Sequence, residues 1–477
     1  MISLLMGMLA AAGCIGPIRC APAEAFYLPE DPGFTIVDSM AASVRFTTTR
    51  CLVSEGEGLR ATSTFVDPEG RPALWHEFGP IEGVGWAANA VGGAIHLIRY
   101  GRFFQRGDIE DMGRRVLHYA VHGGFVDPDT GFLRAYRDRS DGRYYLNYLH
   151  DDAFDRWFCP GSAAKVALQY LEAGRLCEGS PLGQWSRECG LRLARWLRDH
   201  VRPAPNGWFP RRCRPDGEPF PLDAHGAGPD PQFETSGDGL YLLWLFAELA
   251  RAGEPGYGPH IGGPLDAFMR AGGMFGSMNH DTYDPDENVC HAVGFRVLRR
   301  IAQWELCPNP DDVRRFAYER CLHTLERFEI REDRNGVATR GLLFMEDSWD
   351  TAYLWENAEA ATAWFEAARD VGSTKYLRKG LTILRAAARH HHGPHGFLTE
   401  GVDWNNHNGQ WRVVNGQKVP IHVGGAVYGD VNYTQPFLNN LQIVEPTLFY
   451  LEHFARRVRE NGAERLCDHE GNVVWRR

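Results

Sequence analysis

Tyr148-Leu149-His150-Asp151-Asp152-Ala153-Phe154 sets two carboxylates side by side, just ahead of an amphipathic segment. Two carboxylates this close resist double ionisation, so one tends to hold a proton near neutral pH and can serve as a general acid. An Asp cap on a helix beside a solvated neighbour is the plain structural alternative. A denser concentration of carboxylates and flat rings lies at Met345-Glu346-Asp347-Ser348-Trp349-Asp350 and Leu354-Trp355-Glu356-Asn357. Cleaving a glycosidic bond needs an aromatic floor under the sugar ring and carboxyls beside the linkage, and this segment offers both. Asp151, Asp152, Asp347 and Asp350 are therefore the candidate catalytic groups. Glu346, Trp349, Trp355 and Glu356 are candidate substrate contacts, although capping by Ser348 or Asp347 accounts for part of the pattern without function.

A different chemistry is written in Glu400-Gly401-Val402-Asp403-Trp404-Asn405-Asn406-His407-Asn408-Gly409-Gln410-Trp411, with His422, Tyr428 and Tyr433 shortly downstream. Asn-Asn-His beside tryptophans is similar to the short motif of helical-toroid alginate lyases. That similarity implies that Asn406 and His407 neutralise a uronate carboxylate while histidine or a tyrosine such as Tyr428 takes the C5 proton. Trp404 and Trp411 would flank the sugar, and a loop of surface amides is the bland alternative.

The third feature is a Gly-aromatic turn, Gly207-Trp208-Phe209-Pro210, followed after a polar excursion by Glu234-Thr235-Ser236-Gly237 and the apolar run Leu240–Leu249. A hydroxyl at Thr235 or Ser236 is suited to cap the following helix, which would put Glu234 at its positive end and aim it into a cleft. This order resembles the unsaturated glucuronyl and rhamnogalacturonyl hydrolases, and related β-glucuronidases, in which a turn like Gly-Leu-Trp precedes a Glu-Thr-Ser helix start. Those enzymes also carry a catalytic aspartate in an Asp-Asp-aromatic stretch upstream, as at Asp151-Asp152 here. The resemblance implies a six-hairpin barrel that hydrolyses uronic-acid-bearing oligosaccharides, with Glu234 among the substrate contacts. Two departures leave the substrate open: Cys159-Pro160 stands where those enzymes continue a smooth helix, and the insert from Arg211 to Gln232 is long.

Other chemistries lack their signatures. There is no phosphate-cradling glycine loop, no Gly-x-Ser-x-Gly turn and no His-Glu-x-x-His helix. Eleven cysteines without a Cys-x-x-Cys pair encode neither a zinc cage nor a local disulfide framework. His280–Asn288 is rich in oxygen ligands but reads more simply as an Asx/Pro turn, and His390-His391-His392 with His395 as a solvated helix end. The pattern calls for no metal and no cofactor.

These residues need a scaffold, and the chain repeats one. From about residue 83, pairs of segments with helically spaced apolar residues end at Gly-containing turns, Gly123-Gly124-Phe125, Asn206-Gly207-Trp208, Gly273-Met274-Phe275, Asn335-Gly336-Val337 and Gly396-Phe397. Successive marks from Gly207 onward lie 60 to 66 residues apart. A hairpin alone cannot bury its apolar stripe, so the economical architecture is an all-α toroid of six helical hairpins, (α/α)6, over residues 81–477. The last segment, Gln442–Phe454, would pair with Tyr428–Leu438. Residues 25–80, with Phe34-Thr35-Ile36-Val37 and Val44–Thr49, read as a short β-rich lead-in.

The 477-residue chain is 44% hydrophobic and 12% aromatic, with 14 tryptophans, enough for a large core and for sugar stacking. A net charge of −10 without a long basic run excludes a nucleic-acid-tracking surface. The expected partner is an oligosaccharide, and self-association is left open. Residues 1–24 form a candidate signal peptide, favouring a periplasmic or secreted location, but the start lacks the usual Lys or Arg and an ordinary apolar segment fits as well. No later stretch is apolar enough to span a membrane. A glycan-binding or protein-binding toroid without catalysis would carry the same tryptophans but would tolerate loss of every carboxylate. Asp152→Asn, or Asp151→Asn if that residue is the acid, is expected to lower turnover by about 10²–10⁴-fold with folding unchanged. Full activity in both variants, measured on a glucuronide, removes the pair from the chemistry.

Overall fold

The computed structural model describes residues 33–72, 80–147, 156–278, 283–334, 338–347, 351–392, 394–404, 411–414, 417–420, 434–460 and 463–476. Twelve α-helices appear among them: α1 Ile36–Arg50, α2 Ala90–Phe104, α3 Gly107–His122, α4 Pro160–Leu176, α5 Pro181–His200, α6 Gly239–Arg251, α7 Gly262–Arg270, α8 Asn288–Gln303, α9 Pro310–Phe316, α10 Leu354–Val371, α11 Thr374–Ala387 and α12 Val444–His453. The even-numbered helices form an inner ring in which each packs on the next and α12 returns to α2. The odd-numbered helices lie outside, and α9 runs on through a π turn, Ala317–Leu322, and a 3-10 turn, His323–Phe328. This is the (α/α)6 toroid that the hairpin spacing predicts.

Local chemistry sets the helix boundaries. Ser180 caps α5 by accepting from the Gly183 amide at 3.2 Å, with Pro181 at the first helical position, and Ser373 caps α11 in the same way. The inner helices α2, α6 and α10 are buried on nearly every face because they are covered on all sides, whereas outer helices such as α5 and α11 bury a single stripe. The glycine marks at 123, 207, 273 and 396 follow outer helices, at the return to the inner ring.

The lead-in departs from expectation. The runs Phe34-Thr35-Ile36-Val37 and Val44–Thr49, taken for strands, lie in and around α1. The sequence carries the reason. Thr35 and Asp38 make a capping box, in which the Asp38 amide donates to the Thr35 hydroxyl at 3.2 Å and the Thr35 amide donates to the Asp38 carboxylate at 2.8 Å. Ile36, Val37, Met40 and Val44 then fall on one buried helical face, so tertiary burial overrides the β-preference of branched residues. Helix α1 is also the outer partner of the sixth hairpin. It packs on α12 and on the π turn Pro436–Asn440, where the Thr47 hydroxyl donates to the Pro436 carbonyl at 3.2 Å. The pairing of Gln442–Phe454 with a segment beginning at Tyr428 is thereby replaced, and Tyr428 itself lies outside the described residues. Strand structure is confined to short pieces, among them the hairpin Leu52–Glu55 with Gly58–Ala61, the sheet Ile81–Gly83, Tyr136–Asp138 and Tyr144–Tyr145, and the pair Thr351–Tyr353 with Gly401–Asp403.

Because α1 closes the ring, its core contacts should carry global stability. Met40, fully buried in the main core, is expected to cost about 2–5 kcal/mol on substitution by alanine. Chemical denaturation of Met40→Ala tests this, and an unchanged midpoint would detach α1 from the cooperative unit.

Candidate active site

Three inner helices bring carboxylates to one end of the ring, at or just inside their N-termini: Asp238 immediately precedes α6, Glu287 immediately precedes α8 and Glu356 lies in the first turn of α10. Glu346, on the segment entering α10, joins them. All four are fully buried.

Glycines allow the helix ends to close in. A Cβ on Gly161, in the first turn of α4, would stand 2.1 Å from the Asp238 carbonyl oxygen, and one on Gly237 would stand 2.3 Å from the Cys290 sulfur in α8. No other residue fits either contact without displacing backbone or helix. The Gly-aromatic turn and the Glu-Thr-Ser-Gly segment, linked above by sequence alone, are in physical contact. The Trp208 indole N–H donates to the Ser236 carbonyl at 2.8 Å, and the Asn206 amide donates to the Glu234 carbonyl at 2.7 Å.

The helix does not start where capping by Thr235 or Ser236 would place it. The Ser236 hydroxyl donates to the Ser277 carbonyl at 2.9 Å and lies 3.0 Å from an Asp238 carboxylate oxygen, and α6 begins only at Gly239. Asp238 therefore takes the mouth position expected for Glu234, whose side chain is half-buried five residues before the helix.

The Glu287 and Glu356 carboxyls lie close enough for each to shift the other's affinity for protons. One oxygen of Glu287 accepts from the Met278 amide, and one of Glu356 from the Asn288 side chain at 2.8 Å. The Oε1 atom of each lacks a hydrogen-bond donor among the described residues, which favours a proton on this pair. Burial lifts Glu287 to about 7, and it lifts Glu356 well above the carboxylate range with the Glu287 charge adding to the effect. Burial also lifts Asp238 to about 7, against the opposing pull of Arg211 and the Ser236 hydroxyl. Glu346 accepts from the Ser277 hydroxyl at 2.6 Å. The set can hold and release protons near neutral pH. Among the described residues no cluster of three or more His, Cys, Asp or Glu side chains has the arrangement to hold a metal ion.

Of the residues singled out by sequence, Glu346 and Glu356 converge here. Trp355, one position from Glu356 on the helix, points into the ring instead, edge-on to Trp86 with centroids 5.5 Å apart. Asp347 diverges to the surface and pairs with Arg327, which also holds Asp286. Trp404 stacks on Phe344 at 4.6 Å. Trp411 lies in the short strand Trp411–Val414. Asp151, Asp152, Trp349, Asp350, Asn406, His407 and Tyr428 lie outside the described residues. His390 and His391 are buried rather than solvated: the Nε2 atom of His390 lies 2.7 Å from the Ala338 carbonyl, and that of His391 lies 2.7 Å from the Ser39 hydroxyl. The reading by sequence passes over Asp238 entirely and takes Glu287 only as part of an Asx/Pro turn. The available signal for both is position, one residue ahead of an apolar helical run.

No protein-family model matches this chain, and no curated protein matches it. Solved structures do. A cellobiose 2-epimerase from Bacillus thermoamylovorans is similar over 93% of this chain and 100% of its own, with a TM-score of 0.55 at 12% identity. A D-mannose isomerase is similar over 86% of this chain and 96% of its own, with a TM-score of 0.52 at 11% identity. An α-mannanase of glycoside hydrolase family 76 from Bacteroides thetaiotaomicron is similar over 87% of this chain and 96% of its own, with a TM-score of 0.51 at 8% identity. At such identities the likeness is one of fold, the six-hairpin toroid.

The raised carboxyls fix a sign for pH dependence. A carboxyl whose folded-state value lies near 7 favours the folded state fully below its ordinary value of about 4, and that contribution is lost as pH rises through 7. Asp238→Asn and Glu287→Gln should each flatten the fall in stability between about pH 4.5 and pH 7. Thermal or denaturant midpoints measured across that window check it, and slopes identical to the parent protein would mean that these groups ionise as they do in the unfolded chain.

Proposed function

We propose that this protein is a carbohydrate-active enzyme that works by carboxyl acid/base catalysis at the N-terminal mouth of its inner helices. Within that class, the reading supported best is a glycoside hydrolase acting on uronic-acid-bearing oligosaccharides, of the β-glucuronidase or unsaturated-uronate hydrolase type. The observation that carries it is the gathering of the buried carboxyls of Asp238, Glu287, Glu346 and Glu356 at the N-terminal ends of inner helices, where burial raises the affinity of Asp238, Glu287 and Glu356 for protons. A glycosidase needs one carboxyl protonated and another charged at the same pH, and burial separates their affinities for protons.

Asp151 or Asp152 supplies the general acid in this proposal. The helix that follows them, α4, starts in direct contact with Asp238 through Gly161, which supports a common location. The Glu346–Glu356 segment lies around the scissile sugar in the same proposal. Similarity in fold to an α-mannanase supports a hydrolase.

A second reading is favoured by the fold similarity to a cellobiose 2-epimerase and a D-mannose isomerase over nearly their full lengths. In it the buried carboxyls shuttle a proton on one sugar without breaking a linkage. β-Elimination by Asn406 and His407 is the third, resting on sequence similarity alone.

One assay separates the three. The protein is incubated with β-glucuronides, uronans and 4,5-unsaturated uronate oligosaccharides while ultraviolet absorbance and reducing ends are followed. We expect new reducing ends, no gain in absorbance on saturated substrates, and a loss of absorbance on unsaturated ones. A steady gain that disappears in His407→Ala but survives Asp152→Asn makes the protein a lyase. A changed sugar with neither signal makes it an epimerase or isomerase.

A further inference from the structure

At the other end of the ring, toward the C-terminal ends of the inner helices, the lumen opens into a cavity of about 880 Å³. That volume lies within the range of small-molecule sites. Its walls are dominated by charge, and the charges are nearly all matched. Arg296 pairs with Glu359, Glu366 and Glu445 at 2.5, 3.4 and 2.6 Å, Arg300 with Glu366 at 2.7 Å, and Arg99 with Glu172.

Lys165 is the exception. It projects from α4 at the inner end of the cavity, is 5% exposed, and has neither a hydrogen-bond nor an ion-pair partner among the described residues. Its ammonium sits in a cage of rings, 3.9 Å from the centroid of Trp86, 5.6 Å from Tyr241 and 5.9 Å from Trp355. Rings stabilise a cation without accepting its hydrogen bonds, so its N–H donors remain unused. Three further buried polar atoms on the same wall lack partners: the Tyr241 hydroxyl, His96 Nδ1 and Gln169 Oε1. All four atoms line one cavity, where a bound polar molecule can reach them together.

We propose that this end of the lumen is a second ligand site, distinct from the carboxylate mouth, and that it takes a sugar-sized polyol bearing one carboxylate. A carboxylate matches Lys165, while hydroxyls of the same ligand can donate to Gln169 and exchange hydrogen bonds with Tyr241 and His96. The single charge follows from the surroundings. Seven Arg and Lys side chains line the cavity against six glutamates, so a monoanion brings the lining to balance, whereas a phosphate dianion would add a surplus negative charge close to Glu359 and Glu445. The site does not depend on the hydrolase reading, since it uses none of the groups assigned to the chemistry.

Calorimetric titration of the full chain with D-glucuronate, D-glucose and inorganic phosphate tests it. Glucuronate should bind, Lys165→Met should weaken it by about 10–100-fold, and Tyr241→Phe, which keeps the ring and removes only the hydroxyl, by about 3–10-fold. Glu287→Gln should leave this binding intact while it lowers turnover, which separates the lumen site from the mouth. The proposal is overturned if glucuronate does not bind, if both lumen variants bind it as the parent does, if glucose binds as tightly as glucuronate, or if phosphate binds more tightly. Loss of glucuronate binding in Glu287→Gln alone would place the ligand at the mouth and also overturn it.

Discussion

Closing six hairpins into a ring is the constraint from which the other features follow. Each inner helix is buried on most of its faces, so none can remain at an open edge, and α1 arrives from the start of the chain to cover the last. Closure forces the N-termini of parallel inner helices to one point. Whatever side chains stand at those ends become neighbours, although in sequence Asp238, Glu287 and Glu356 are widely separated.

At that point two electrostatic effects compete. Helix N-termini favour negative charge by about 0.3–1 kcal/mol each, whereas removing a carboxylate from water costs several kcal/mol even after relaxation. Burial wins, which is why Asp238 and Glu287 are raised despite their positions. Glu356 is raised further by the Glu287 charge beside it, and backbone and side-chain donors from Met278 and Asn288 hold one oxygen of each. The hydrogen bonds also tie the segments entering α8 and α10 together, so the chemistry-bearing groups and the architecture of the mouth are the same contacts.

The two ends of the lumen differ in a telling way. At the mouth, surplus carboxyls are neutralised by protons, a state that responds to pH. In the lumen, arginines and glutamates neutralise one another through short ion pairs, and Glu366 is held far below the usual carboxylate range by Arg300, Arg296 and Arg299 against its burial. Against that matched background Lys165 stands out, pushed by burial to about 8 and surrounded by rings in place of acceptors.

Hairpin periodicity and glycine punctuation determine the toroid from sequence alone, because helical spacing and chain reversal are local properties. The contact between Gly207-Trp208 and the Glu234–Gly237 segment is legible too, since both flank one polar excursion. Helix α1 is half legible: Thr35 and Asp38 spell a capping box, but the branched residues around them favour strand, and only burial against α12 decides between the two. The site is where sequence reasoning stops. The pattern ranks Glu234 above Asp238, and groups Asp347 with Glu346, because composition cannot tell which of two nearby carboxylates turns inward. Tertiary structure turns Asp347 out to Arg327 and Glu346 in to Ser277, and it seats Lys165, an unremarked residue on an apolar helix, among three aromatic rings. Those outcomes depend on ring closure, a long-range event in which residues far apart in the chain set each other's exposure and charge.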